Sequence, residues 1–338
     1  MLVAVLGAAP TAAAADPPAD LPAAAWVLVD ASDDEVLAAH NARQSLSIAS
    51  TTKLMTAYVA RERLRLGKTV VAPPYQALAA ESLLGLEPGE RIEVRDLLLG
   101  LLLVSGNDAA NALAQAAAGS EEEFVRGMND AAARLGLDDT SYANPVGLDE
   151  MGNYSSARDL VDLAIELRKD ALFREIFDTA STTTETGARP RNLVNRNTLV
   201  QTVPYVNGVK TGYTIDAGNV LVGSGKQDGV ELVSAVLGAP SEGDRDAATM
   251  ALLDYGFSLY HRRTPVRAGE PVDRVAITDR EAEVVLAPRS DLRITVRGVS
   301  RSRPGSRHPP RSRGRSRRAS GWARSWSAST ARRRAEPS

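Results

Sequence analysis

The sequence predicts an α+β fold in which an antiparallel sheet is assembled from both ends of one large domain. Two observations support this prediction. Apolar runs typical of strands occur near residues 25–40 and again after about residue 180. Between these regions, apolar residues recur with the 3.6-residue period of helices. We therefore expect a sheet flanked by helices, with a mostly helical insertion between its two halves.

The N-terminal half contains two predicted strands and five predicted helices. The strands, Ala25–Asp30 and Glu35–His40, are separated by a short polar turn and form a hairpin. A glycine follows several of the helical segments, as expected where a helix ends. The predicted helices are Ser50–Arg65, Asp96–Val104, Asp108–Ala118, Glu121–Leu135 and Ser155–Leu167.

The C-terminal half is predicted to return to strands. A long helix at Arg245–Tyr260 follows four of them, and three further strands form a small β-rich unit. The predicted strands are Thr182–Thr186, Gly208–Thr214, Gly218–Ser224, Val230–Leu237, Val272–Ile277, Glu283–Leu286 and Leu292–Val296. We accordingly divide the chain into a leader (1–22), a catalytic domain (23–262), a partial, truncated β-rich domain (263–299) and a disordered Arg/Ser-rich tail (300–338).

Charge is distributed unevenly along the chain. Residues 301–338 contain twelve arginines and one glutamate, a charge of +11, so the net charge of −2 leaves −13 on residues 1–300. The acidic body offers no basic face for nucleic acid, and we predict no nucleic-acid partner. The basic tail is interpreted as a solvated, disordered run.

The first residues resemble a secretory signal peptide. An apolar stretch precedes the small-residue pattern Ala13-x-Ala15, although no basic segment stands before it. We expect an exported protein that acts outside the cytoplasm, in the cell envelope. No later segment reaches the roughly 18 apolar residues that a membrane span needs, and the run Leu97–Val104 is interpreted as a buried helix.

Scarce residue types limit the possible chemistry. Cysteine is absent, which excludes thiol catalysis and disulfides. None of the three histidines, His40, His261 and His308, is beside a candidate nucleophile in sequence. We predict no metal and no cofactor, because a zinc site would have to be built mostly from carboxylates.

Two of the five lysines lie in short polar motifs. Ser50 and Lys53 form a Ser-x-x-Lys motif, and Lys210 begins a Lys-Thr-Gly motif with Thr211 and Gly212. A Ser-Gly-Asn motif, with Ser105 and Asn107, stands between them. Each motif alone is weakly specific, and an exposed helix pair, a turn or a strand end would explain it. All three in this order indicate a serine acyl-transfer site with lysine as the base.

The chemistry requires these residue types at this spacing. Residues three apart on a helix share a face, so Lys53 can reach the hydroxyl of Ser50. Lysine acts as a base only when neutral, so burial or a nearby cation must lower its pKa, and Lys210 is the expected cation. Ser105 can relay a proton and Asn107 can hold a substrate amide. Gly212 lets the backbone of a ligand approach the strand.

The chain resembles the low-molecular-mass penicillin-binding proteins, which are serine-type D-alanyl-D-alanine carboxypeptidases of the β-lactamase/transpeptidase-like superfamily. The similarity extends over about residues 23–260. Besides the three motifs it includes the segments Val104–Ala110, Met128-Asn129, Leu135–Leu137, Asn144–Leu148, Ser156–Leu160 and Lys210–Thr214.

The resemblance implies a role for each motif residue. Ser50 would be the acylated nucleophile, Lys53 the base, and Ser105 and Asn107 the proton relay and the substrate-amide contact. The terminal carboxylate would be bound by Lys210, Thr211, Thr214 and, in a weaker match, Arg245, for which a surface charge at a helix start is the alternative. Backbone N–H groups of Ser50 and Tyr213 would form the oxyanion hole. The implied partners are peptidoglycan stem peptides ending in D-Ala-D-Ala, with β-lactams as covalent inhibitors.

Several alternatives stay open at the level of sequence. A β-lactamase needs a base for deacylation, and Asp149 or Glu150 is a candidate. A DD-endopeptidase needs the same motif residues, and a non-catalytic protein that binds peptidoglycan or β-lactams needs only the site. Family members usually continue into a complete β-rich domain and a membrane anchor. Here the Arg/Ser tail follows Val299 instead, so membrane association is left open.

Overall fold

The computed structural model describes residues 16–276 and 283–298 of the chain. Within them the polypeptide forms thirteen strands and eight α-helices. The strands are β1 (Ala25–Asp30), β2 (Glu35–His40), β3 (Thr69–Val71), β4 (Arg91–Glu93), β5 (Ser181–Thr183), β6 (Asn192–Val194), β7 (Val206–Thr214), β8 (Gly218–Gln227), β9 (Val230–Ala239), β10 (Tyr260–Val266), β11 (Asp273–Ala276), β12 (Glu283–Leu286) and β13 (Leu292–Arg297). The helices are α1 (Lys53–Arg63), α2 (Val94–Leu103), α3 (Asn107–Ala118), α4 (Glu121–Leu135), α5 (Ala157–Leu167), α6 (Ala171–Asp178), α7 (Leu199–Thr202) and α8 (Glu242–Ser258).

The main sheet has five antiparallel strands in the order β2-β1-β9-β8-β7, which confirms the predicted α+β fold with a sheet built from both ends of the domain. Strand β1 is buried along its whole length. Alternate residues of a strand face opposite sides of the sheet. Val27 and Val29 therefore pack in the larger core with helices α1–α6, whereas Trp26 and Leu28 pack in a smaller core against α8.

The insertion packs around α2. Nine of its ten residues are buried, which explains its nearly continuous apolar sequence. The next helices begin and end at residues that the sequence marks clearly. At the start of α4, the hydroxyl of Ser120 accepts a hydrogen bond from Glu123 N–H, and Gly136 ends the helix with a left-handed φ of 73°.

Most of the short elements were not predicted. Strand β6 has three residues, too few to show a period of two. Strand β5 overlaps the predicted strand Thr182–Thr186 but ends three residues earlier. Helix α6 did leave a signal, because its buried residues Leu172, Phe173, Ile176 and Phe177 follow the Asp170 cap at helical spacing. Strand β10 is rich in charged residues and has no apolar pattern. It pairs with β13 and extends across residue 262, where we predicted a domain boundary. That boundary stays a prediction.

A buried ion pair ties the long segment between β3 and β4 to the β5–β6 hairpin. The guanidinium of Arg191 donates to both carboxylate oxygens of Glu90, at 2.8 and 2.7 Å, and to Gly85 O at 2.8 Å. Both charged side chains are buried. Burial alone would raise the pKa of Glu90, but the hydrogen bonds from Arg191 and two backbone N–H groups lower it to about 2. The pair therefore holds the base of a segment that borders the functional motifs.

Some predicted features lie outside the described residues. They are most of the leader (1–15), the end of one predicted strand at Ile277, and the tail from Val299 onward. Contacts divide the chain into two units, 1–299 and 300–338. Within the described residues, no helix is both long and apolar enough to cross a membrane.

We expect Glu90→Gln to lower the free energy of unfolding by about 3–5 kcal/mol, because it leaves the buried Arg191 charge without its partner. Urea denaturation measures the change. Glu87→Gln, at an exposed position three residues earlier, is the matched control and should stay within about 0.5 kcal/mol of the wild type. Equal stabilities for the two variants would contradict the importance of the pair.

Candidate active site

Ser50 lies in a single 3-10 turn, Ala49–Thr52, that leads directly into α1. Its side chain is half-buried, and the preceding Ala49 has a left-handed φ of 47°. Such backbone conformations cost energy in residues other than glycine and are found disproportionately at functional sites. The turn therefore presents the Ser50 hydroxyl at a strained bend before a helix.

Two glycines allow the rest of the chain to pack against this turn. A Cβ atom on Gly147 would lie 2.1 Å from Ala49 O, and one on Gly212 would lie 3.0 Å from Ser50 N. Gly212 was expected to make room for the backbone of a ligand. The structure instead shows that its missing side chain makes room for the nucleophile's own turn.

Lys53 is buried with 0% of its surface exposed, and its Nζ atom donates to Ser50 Oγ at 3.0 Å. Nζ also donates to Val146 O at 2.5 Å, so a carbonyl fixes the side chain from the other side. Burial lowers the pKa of Lys53 to about 7; Glu81 and Asp108 oppose this shift and Arg196 adds to it. At neutral pH a large fraction of Lys53 is therefore neutral and able to accept a proton.

The segment that supplies the Val146 carbonyl was missed as a part of the site. Asn144 Oδ1 accepts hydrogen bonds from the N–H groups of Val146 and Gly147, which closes a tight turn. Thr56 of α1 also donates to Pro145 O at 2.6 Å. The Asn-Pro-x-Gly pattern was the available signal, because it indicates a turn but does not show what the turn contacts.

The second and third motifs meet through a second serine–lysine pair. Lys210, on β7, donates from Nζ to Ser105 Oγ at 3.1 Å and to Thr211 O at 2.9 Å. Ser105 itself has a left-handed φ of 64° and lies between α2 and α3. Tertiary structure thus brings together two residues that are 105 positions apart in sequence.

Lys210 is buried close to several other positive charges, including that of Lys53. Burial lowers the pKa of Lys210 well below its ordinary range, and the charges of Lys53, Arg196 and Arg245 lower it further. We expected Lys210 to keep its charge and to lower the pKa of Lys53. In the structure, Arg196 is the cation that helps to lower the pKa of Lys53. The charged form of Lys210 is itself disfavoured. A carboxylate beside Lys210 would favour the charged form again.

Asn107 is the first residue of α3 and contacts the segment between β3 and β4. Its Nδ2 atom donates to Glu81 Oε2 at 2.7 Å, and its backbone N–H donates to Ser82 O at 2.8 Å. The next residue, Asp108, accepts hydrogen bonds from three successive backbone N–H groups, those of Leu84, Gly85 and Leu86. The Ser-Gly-Asn motif therefore carries an anchor for this neighbouring segment, which sequence reasoning did not assign.

Strand β7 is at the edge of the main sheet, so one side of it has no neighbouring strand in that sheet. Thr211 is buried on it, whereas Tyr213 is 62% exposed. Thr214 departs from expectation. Its hydroxyl donates to Asp149 at 2.6 Å and accepts from Ala217 N–H at 3.1 Å, so it is bound within the turn that follows the strand. A negative carboxylate next to Thr214 disfavours a role in binding a substrate carboxylate.

Two arginines add positive charge near Lys210. Arg245 is 3% exposed and hydrogen-bonds Asp246 at 2.9 Å, so it is not the solvated surface charge that was the alternative. Arg196 was missed by sequence reasoning. Its backbone N–H donates to Leu103 O and its Nε to Val104 O, both at 3.0 Å, which holds it beside the loop that carries Ser105. It lies in none of the three motifs, so no sequence signal marked it.

These contacts define what the site can do. A half-buried serine hydroxyl contacts a buried lysine whose pKa is lowered to about 7, and a second serine–lysine pair lies in the same active-site region. The combination suits acyl transfer to serine, with lysine as the general base. Among the residues that the structure describes, no group of three or more His, Cys, Asp or Glu side chains could hold a metal ion.

Comparison with known proteins decides the family. Residues 11–241 match the sequence profile of peptidase family S11, described as D-alanyl-D-alanine carboxypeptidase. The chain belongs to this family of serine peptidases. It is 37% identical over 257 residues to the D-alanyl-D-alanine carboxypeptidase DacF of Bacillus subtilis, covering 74% of this chain and 66% of that protein. The chain thus spans slightly less than two thirds of DacF.

Solved structures of a DD-transpeptidase and of a penicillin-binding protein share the fold. A mutant of the DD-transpeptidase of Streptomyces K15 is 30% identical, with a TM-score of 0.68 over 72% of this chain and 100% of that one. Penicillin-binding protein 5 of Haemophilus influenzae is 29% identical, with a TM-score of 0.67 over 84% of this chain and 85% of that one. The β-lactamase/transpeptidase-like fold class is therefore confirmed.

The pKa of Lys53 predicts how the rate of Ser50 acylation depends on pH. We expect the second-order rate of Ser50 acylation by benzylpenicillin to rise with pH and to reach half its maximum near pH 7, because only neutral Lys53 accepts the serine proton. Lys53→Met should slow acylation by about 10²–10⁴-fold.

The exposed Lys68 provides the control. Lys68→Met should leave the rate and its pH dependence unchanged, because Lys68 Nζ donates only to Ala116 O among the hydrogen bonds found. A wild-type rate that is constant between about pH 5 and 9 would show that Lys53 is not the titrating base.

Proposed function

We propose that this chain is a D-Ala-D-Ala carboxypeptidase that removes the terminal D-alanine from peptidoglycan stem peptides through an acyl-enzyme on Ser50. The observation that supports this proposal most directly is the 3.0 Å contact between Ser50 Oγ and the buried Lys53 Nζ. The family described above acts in its named members as D-alanyl-D-alanine carboxypeptidases. β-Lactams would acylate the same serine because their strained amide imitates the peptide bond.

In the acylation step, neutral Lys53 takes the proton of the Ser50 hydroxyl while Oγ attacks the carbonyl carbon of the penultimate D-alanine. The bond between this carbon and the nitrogen of the last D-alanine then breaks. That nitrogen must gain a proton to leave as an amine. Ser105, which contacts Lys210 Nζ at 3.1 Å, can donate its proton to the nitrogen and recover one from the lysine. Free D-alanine and an ester on Ser50 are the products.

In the deacylation step, water attacks the ester carbon. A lysine in its neutral form accepts a proton from the water, and Ser50 Oγ regains a proton as the ester bond breaks. The shortened stem peptide leaves as a carboxylic acid. Backbone N–H groups of Ser50 and Tyr213 are proposed to stabilise the negative oxygen of both tetrahedral intermediates.

Substrate binding is proposed to use the free edge of β7. An extended peptide can add to such an edge through backbone hydrogen bonds, while Asn107 binds a side amide. The terminal carboxylate would be bound by Lys210 and Thr211, with Arg196 and Arg245 adding positive charge. Thr214 would act indirectly, by shaping the turn at the end of β7 through its bond to Asp149.

The direct test is release of D-alanine from diacyl-L-Lys-D-Ala-D-Ala. We expect the wild-type protein to release it and Ser50→Ala to release none, because no nucleophile is left. Ser45→Ala is the matched control, since Ser45 is exposed and its hydroxyl contacts only Asp139 O among the hydrogen bonds found. Penicillin binding without D-alanine release by the wild type would support a non-catalytic binding protein instead.

The alternative reactions differ from the proposed one either in the substrate that is cleaved or in the molecule that accepts the acyl group. Rapid turnover of penicillin would indicate a β-lactamase. Asp149 is bound to Thr214 and Glu150 to Asn144 at 2.9 Å, so both candidate bases for that reaction already have partners. Cleavage of cross-linked peptides would indicate an endopeptidase. The likeness to a protein named DD-transpeptidase makes transfer to an added amine, such as glycine, a useful further readout.

We further propose that the protein acts outside the cytoplasm, where peptidoglycan is found. The signal-like sequence of the leader and membership of the carboxypeptidase family support this location. The division into leader, catalytic domain, partial β-rich domain and tail is likewise part of the proposal.

The contribution of Arg196 to KM should depend on a free terminal carboxylate in the substrate. We expect Arg196→Ala to raise KM about tenfold for the free peptide, because a charge-assisted interaction is lost, and to change KM little for the C-terminal amide. Steady-state kinetics on both peptides measure the difference. Arg43→Ala removes an exposed arginine paired with Asp139 and should affect neither substrate. The same increase in KM for acid and amide would contradict carboxylate binding by Arg196.

A further inference from the structure

We propose that Glu81 is a positioning residue of this active site: it orients the amide of Asn107 and places a fixed negative charge near Lys53. This inference rests on the proposed function, because it assigns Glu81 a part in acylation of Ser50. Glu81 lies outside the three motifs, on the segment between β3 and β4.

The first argument is the contact with Asn107. Glu81 Oε2 accepts a hydrogen bond from Asn107 Nδ2 at 2.7 Å, which is short for a nitrogen donor and typical of a charged acceptor. Because one N–H group of the amide is bound in this way, the plane of the amide is fixed. The orientation of the remaining polar atoms of Asn107 toward a substrate then depends on Glu81.

The second argument is that Glu81 is itself held in place. Its Oε2 atom also accepts from the Tyr75 hydroxyl, and Oε1 accepts from Leu78 N–H at 2.9 Å. Residues that follow it are anchored by Asp108 and by the buried pair of Glu90 and Arg191. A carboxylate with three donors on an anchored segment is preorganised, unlike a mobile surface acid.

The third argument is charge. Burial would raise the pKa of Glu81, but hydrogen bonds from Asn107, Tyr75 and Leu78 lower it, and the charge of Lys53 lowers it further, so the net shift is downward. Glu81 is therefore ionised at neutral pH. Its negative charge favours the protonated form of Lys53, the form that exists once the base has taken the serine proton.

Other charged groups also shift the pKa of Lys53, and their effects remain when Glu81 is replaced. Asp108 on α3 favours protonated Lys53, whereas Arg196 disfavours it. Glu81 thus offsets part of the positive charge concentrated at this site. Removing its charge should make Lys53 easier to deprotonate and also a weaker base for the reaction.

Three variants separate the two roles of Glu81. In Glu81→Gln the side-chain oxygen can still accept from Asn107 but carries no charge. In Glu81→Asp the charge is kept and the reach is shortened. In Glu81→Ala both are lost. Glu87→Gln removes an exposed carboxylate from the same segment and serves as the control. Circular dichroism and thermal melting establish that each variant is folded.

The measurement is the rate of Ser50 acylation by benzylpenicillin between about pH 5 and 9, followed by mass spectrometry of the adduct. We expect the acid limb of the Glu81→Gln profile to move at least ~0.5 pH unit lower, with a plateau about threefold to tenfold below the wild type. Glu81→Ala should show the same shift and a further loss of rate. Glu81→Asp should keep the wild-type limb, and Glu87→Gln should match the wild type throughout.

Two results would overturn the inference. An unshifted limb in Glu81→Gln would show that Glu81 does not act on Lys53. An equal loss of rate at every pH in all three variants would indicate that the residue only supports the fold of its segment. Failure of the proposed function looks different, because the wild type would then release no D-alanine from diacyl-L-Lys-D-Ala-D-Ala, whatever the pH profiles of the Glu81 variants show.

Discussion

The Nζ atom of Lys53 lies between Ser50 Oγ and the carbonyl of Val146, with no exposed surface around the side chain. Burial of an ammonium group is unfavourable, so the surroundings of Lys53 shift the balance toward its neutral form. The native state therefore binds fewer protons at this residue than the unfolded chain does between about pH 7 and 10.5. The contribution of Lys53 to stability rises as the pH increases through that window. Burial of Lys53 costs conformational stability, and the neutral lysine that results could serve Ser50 as a base.

The surrounding residues of the site keep Lys53 buried and hold its side chain in place. Gly147 and Gly212 pack closely against the turn that carries Ser50, and a side chain at either position would crowd the backbone of that turn. Strand β7 then brings Lys210 to Ser105. The cluster of Lys53, Lys210 and the arginines is balanced in part by carboxylates, of which Glu81 and Asp108 act on Lys53. The proposed acyl transfer to Ser50 would thus depend on charges contributed by several separate elements.

The elements with long, regular patterns were the ones that the sequence predicted well. Strands β1 and β2 and helix α4 have the predicted bounds. Strand β6 left no periodic signal because it has only three residues. The charged strand β10 left none because it pairs with β13, which is distant in sequence. In the same way, the 3.0 Å pair of Ser50 and Lys53 was predictable from a local helical spacing, whereas no local pattern predicted the contact of Lys210 with Ser105.

The sequence by itself determined the chemistry available to this protein: no thiol, few histidines, and serine and lysine residues in three ordered motifs that identify the carboxypeptidase family. Tertiary structure decided which groups tune that chemistry. Arg196, Glu81 and the Val146 carbonyl act on Lys53, and the Thr214 hydroxyl donates a hydrogen bond to Asp149. Motifs record residues that are close in sequence. A pKa depends on burial and on charges close in space, which only the folded chain brings together.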